Sequence, residues 1–188
     1  MAQVGRTSLL LVPIALASRG AAFGVPLVIA WWFGINTVTD AWFWALAFPT
    51  FILVLASTAM GTAATPILAE TRTQEADQLG RVIGGMVGWT AIVSGLAGVA
   101  ICLAGPLILS GITDFDVETR DMAAQFLWEL LPFMILTATG SVLRVSCEVH
   151  EIFYGVAVTP LVRATMVIAV TWGLLPSLGA HALPWGLV

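Results

Sequence analysis

Five long apolar runs leave this chain few ways to fold. They cover Thr7–Phe33, Ala41–Ala69, Leu79–Leu109, Met122–Cys147 and Phe153–Leu175, and a sixth starts at Leu178 and is cut off at Val188. A helix needs about 20 mostly apolar residues to cross the hydrocarbon core of a bilayer, and each complete run reaches that length. The connectors are short and polar: "GINTVTD", "ETRTQEADQ", "SGITDFDVETRD" and "EVHE". Backbone groups in lipid must be satisfied within the segment, so the runs are expected to form an all-α membrane bundle. Five transmembrane helices and a truncated sixth would make one unit over residues 1–188.

Composition excludes the soluble alternatives. Hydrophobic residues make up 59% of the chain and charged ones only 10%, with a mean hydropathy of +0.99. A soluble domain is about one quarter charged, because it must solvate its surface. All seven basic residues are arginines, set against eleven acids. No basic face for nucleic acid can be built from them.

Arginine placement predicts orientation. With a cytoplasmic N-terminus, Arg6, Arg72, Arg81 and Arg144 fall inside, and only Arg120 falls outside, in an acidic loop; this agrees with the positive-inside rule. Trp31, Trp32, Trp42 and Trp44 are expected in an outer aromatic belt. The start also resembles a secretory signal, with "ALA" before Ser18, but apolar sequence runs on to Phe33 and favours a full span. Pro13, Pro26, Pro49, Pro132 and Pro160 read as helix kinks. Gly80, Gly84, Gly88 and Gly95 read as a close-packing stripe.

Chemistry of the enzymatic kind is missing from the sequence. There is no phosphate-cradling glycine loop, nucleophile elbow or zinc signature, and a non-enzyme with no cofactor is expected. Cys147, Glu148, His150 and Glu151 lack a complete ligand spacing and read as a polar helix end. Cys102 and Cys147 lie about 30 Å apart along the membrane normal, too far for a disulfide. His181 carries no assignable role. Charge within the membrane is more telling, since it costs at least about 2.5–3.5 kcal/mol and usually faces a cavity or a partner. Arg19 and Arg163 fall within about 5 Å of the midplane and Glu129 about 6 Å outward of it, close enough in depth to share a polar cavity. Asp40, in "TVTD" before an apolar run, reads first as a helix N-cap.

The segments "SRGAAFGVPLVIAWWFG", "TDAWFWALAFP", "TPILAE" and "LPFMILTATGSVLRVSCEVHEIFYGVAVTPLV" resemble the MurJ/MviN lipid II flippases of the MATE-like MOP transporter superfamily. The resemblance implies the N-terminal part of a longer two-lobe transporter in the bacterial inner membrane. It would export a lipid-linked peptidoglycan precursor by alternating access, with a coupling ion left open. Arg19 and Asp40 match the family's Ser-Arg and Thr-Asp-Ala motifs, and Arg19, Asp40, Glu129, Arg144 and Arg163 are the expected substrate-binding residues. The family usually carries further arginines where this chain has Val25-Pro26 and Leu53-Val54. A MATE-type or O-antigen/polysaccharide exporter of the same architecture is therefore an alternative, as is a non-transporting membrane fragment.

Overall fold

The structure, a computed structural model, describes residues 2–75, 77–150 and 152–188, and these are almost wholly helical with no strand among them. Helix α1 (Ala2–Phe33) stops at Gly34, whose φ of 73° lets its N–H return to the Ala30 carbonyl. Helix α2 (Thr37–Ala59) starts from Asn36, which forms a reciprocal capping box with Thr39. Asp40 is thus not the cap expected from "TVTD". It lies within the helix, where its carboxylate gains only from the positive end of the helix dipole.

A five-residue π-turn, Met60–Ala64, carries α2 into α3 (Thr65–Gln74), forming one apolar span over Thr37–Gln74. Pro66 follows at the start of α3, where it has no N–H to give to an α-helical bond, so a local change of pitch costs little there. Helix α4 (Leu79–Ile112) crosses unbroken. Helices α5 (Val117–Glu129) and α6 (Leu131–Val149) form a fifth candidate span bent by 43°. Pro132 explains the bend, because it cannot donate to the Trp128 carbonyl and stands in the first turn of α6.

Helix α7 (Phe153–Leu178) ends at Gly179, with φ 57°, and the chain turns back into the short α8 (Ala182–Leu187). The expected sixth helix therefore starts four residues later than Leu178 and packs against α7. The described helices thus give four spans by length and composition, or five when the bent pair counts as one. An all-α polytopic bundle is what the apolar runs required.

One end of the bundle carries the turns at Asn36, Asp116 and His181, and the other those at Glu75 and His150. The main core sits toward the Asp116 end. Trp42, Ala45 and Ile52 of α2 meet Phe126, Leu127, Leu130 and Met134 of α5–α6 and Cys102 and Leu109 of α4. Trp42 is thus a core residue, packed edge-on to Phe126, whereas Trp31 is 82% exposed as an interfacial tryptophan should be. A smaller core at the other end joins Ala64, Leu68, Leu79 and Val145.

In lipid, helices gain little from apolar burial alone, so close van der Waals fit holds them together. That fit uses a different face of α4 from the one the glycine spacing indicated. Gly80, Gly84 and Gly88 touch no neighbouring element, while Ser94, Gly98, Cys102 and Gly105 form the buried stripe. A Cβ on Gly98 would stand 2.6 Å from Leu131 Cδ1, and one on Gly105 would stand 2.5 Å from Leu127 Cδ1. Only Gly95 of the expected stripe reaches α6, through Ile135.

Candidate functional site

The charged residues singled out by the sequence fall at three levels of the bundle. Helices α1 and α7 pack side by side, and the Ser18 hydroxyl donates to the Ala157 carbonyl at 3.1 Å. Ser18 is buried in that contact. Its neighbour Arg19 is turned about 100° round the helix and is exposed. Arg163 stands six residues beyond Ala157 on α7, about 9 Å further along the axis. Its guanidinium lies 4.8 Å from the centroid of the Phe133 ring on α6. A cation over an aromatic face gains about 0.5–2 kcal/mol, which holds the guanidinium at α6 without neutralising it.

Glu129 does not join these arginines. Its Oε1 accepts a hydrogen bond from His181 Nδ1 at 2.8 Å, while Oε2 is buried with no partner among the described residues. The imidazole also packs edge-on to Phe126, which in turn meets Trp42, whose buried Nε1 likewise lacks a partner. The expected meeting of Arg19, Glu129 and Arg163 is therefore not formed: Arg19 is exposed on α1, Arg163 on α7 lies over Phe133, and Glu129 pairs with His181 at the α5–α6 bend. His181 is the residue that sequence reasoning missed. Its signal was the acid at Glu129, but His181 fell early in the expected sixth run and was given no role, whereas the turn at Gly179 folds it back against the core.

At the opposite end Arg144 is exposed and bonded to Glu148 at 2.9 Å, one helical turn on. Arg72 donates to the Val149 carbonyl, capping the end of α6 from α3. His150 Nδ1 bonds the Ser146 carbonyl at 2.7 Å, Glu151 lies outside the described residues, and no metal-ligand cluster forms among the described residues. Asp40 is exposed. Along the same helix Phe43, Leu46, Ala47, Thr50, Phe51 and Val54 line a shallow groove. Val54, beside the positions where the resemblance implies further arginines, belongs to this apolar surface.

Comparison with protein families matches residues 29–188 to the lipid II flippase MurJ. The chain belongs to the MurJ family. No individual curated protein matches it. The MurJ match covers α2 to α8 and the end of α1, and so includes Asp40, Glu129, Arg144 and Arg163 but not Arg19. Membership together with the apolar helices makes this a protein of the bacterial inner membrane, associated with transport in peptidoglycan biosynthesis.

Proposed function

We propose that this protein moves a lipid-linked saccharide precursor of peptidoglycan across the membrane by alternating access, as the N-terminal lobe of a two-lobe transporter, and not by covalent catalysis. The observation that carries the reading is the pair Arg19 and Arg163. They lie on two packed helices at membrane depth, and neither has a carboxylate within ion-pairing distance among the described residues. Unbalanced guanidinium charge in a membrane needs an anionic partner. A pyrophosphate supplies it, because the planar fork of each arginine bonds two phosphate oxygens at once. Asp40, beside the pathway on α2, and Arg144, at the Arg72 end, are proposed to contact the substrate at other stages.

The N-terminus is assigned to the cytoplasm. The end bearing Arg72, Arg81 and Arg144 faces inward, and the acidic turn around Asp114 and Asp116 faces outward. The decisive experiment is translocation of labelled lipid II in proteoliposomes, alongside impermeant labelling of single cysteines at Gln74 and Asp116 in intact cells. Flipping lost in Arg163→Ala, with Asp116 labelled and Gln74 protected, is the expected outcome. Unimpaired flipping by Arg163→Ala would remove the reading.

The apolar groove through Val54 favours a second reading, in which the lipid-linked saccharide is one other than lipid II. Translocation of another undecaprenyl-linked saccharide in preference to lipid II would select it.

A further inference from the structure

We propose that Glu129 and His181 form a proton-binding site whose occupancy sets how firmly the α7–α8 turn is held against the α5–α6 bend. The pair joins two places where the chain is already broken. Glu129 is the last residue of α5, followed by the 43° bend, and His181 stands at the start of α8, two residues after Gly179. Their 2.8 Å bond is a polar link between these two breaks.

The chemistry of the pair favours proton exchange. With imidazolium against carboxylate the pair is neutral overall and the bond is charge-assisted, about twice as strong as a neutral one. Glu129 Oε2 is buried and without a donor among the described residues. A proton arriving there turns the partner into a neutral acid, weakens the bond and leaves one positive charge. Both side chains keep partial exposure, 22% for Glu129 and 41% for His181, so a proton has a way in. Imidazole is the side chain that changes charge most readily near neutral pH, and the bonded carboxylate gives it a partner that also binds protons.

Other ionisable groups on the surrounding elements leave the pair to itself. On α4, Cys102 is bonded through its thiol to the Leu127 carbonyl. On α7, Arg163 is held over Phe133. Asp40 on α2 and Arg120 on α5 lie toward the ends of those helices, and Arg120 reaches the Thr113 carbonyl. None is in ion-pairing distance of either member among the described residues.

The test uses the protein reconstituted in nanodiscs with 15N-labelled histidine, the signal of His150 being identified by His150→Gln. The His181 ring nitrogens should respond to pH. Glu129→Gln, which removes the negative partner, should change that response. Spin labels at Val117 and Ser177, with Cys102 and Cys147 replaced by serine, should report a longer or broader distance in acid for the parent and a pH-independent one for Glu129→Gln. If Glu129→Gln does not fold, His181→Gln with carboxyl 13C observation of Glu129 reads the same coupling from the other side. A His181 signal indifferent to Glu129, or a label distance indifferent to pH in the parent, overturns the proposal. Neither readout involves transported lipid, so the outcome stands apart from the flippase reading.

Discussion

The Ser18 hydroxyl bonds the Ala157 carbonyl at 3.1 Å, and this contact between α1 and α7 turns the next side chain, Arg19, away from the helix interface. If Arg19 then faces the transport pathway, Arg19→Ala should abolish complementation of a flippase-depleted bacterium while leaving insertion and helicity unchanged. Arg19→Lys keeps the charge and loses the bidentate fork, so it should retain activity with an apparent affinity weakened roughly tenfold. Full complementation by Arg19→Ala would place Arg19 in lipid.

Reassigning the α2 cap from Asp40 to Asn36 separates stability from transport. Asn36→Ala should cost about 1 kcal/mol of stability, because the N–H of Thr39 loses its acceptor. Asp40→Asn should cost less, at most the few tenths that a dipole interaction supplies at an exposed site. If Asp40 acts in transport, Asp40→Asn should nonetheless reduce lipid translocation. Melting in detergent and translocation, measured on the same samples, check both halves.

Close approach of helices makes four glycines unequal. Gly105→Ala pushes into Leu127, which is fully buried, and should destabilise by about 1–3 kcal/mol. Gly98→Ala meets the end of the half-buried Leu131 and should cost less. A Cβ on Gly186 would come within 3.3 Å of the Thr171 Cα, so Gly186→Ala should lift α8 off α7 and raise protease cleavage near Gly179. Gly84→Ala meets nothing and should be neutral or slightly stabilising. Equal effects at Gly84 and Gly105 would contradict this packing.

Asp116 caps α5, and the hydroxyl of Thr119 bonded to its carboxylate holds the carboxyl below its ordinary value of 3.8. A lowered folded value means that this contribution to stability is present above 3.8 and is lost as pH falls through the lowered value. Asp116→Asn still caps but cannot titrate, so its melting temperature should depend less on pH between neutrality and strong acid. Thr119→Val should bring the carboxyl back toward its ordinary value and start the loss at higher pH. Identical acid profiles for the parent and Asp116→Asn would refute the assignment.

Helices and their order were legible in the sequence because length and apolarity alone decide what can cross a bilayer. The five runs follow from counting residues at a fixed rise per residue, and the bend at Pro132 from the backbone donor that proline lacks. Which face each helix turns inward was not legible. In spans apolar on every side the usual amphipathic stripe vanishes, so spacing could not tell Gly84 from Gly98 or an interfacial Trp31 from a buried Trp42. The same ambiguity hid the partner of Glu129. Only the turn at Gly179, folding α8 back on α7, brought His181 to the carboxylate, and that fold-back depends on close packing between Gly186 and Thr171. Depth is a one-dimensional property that the chain carries locally, whereas pairing across the bundle is settled by the rotation and reversal of helices that touch far apart in sequence.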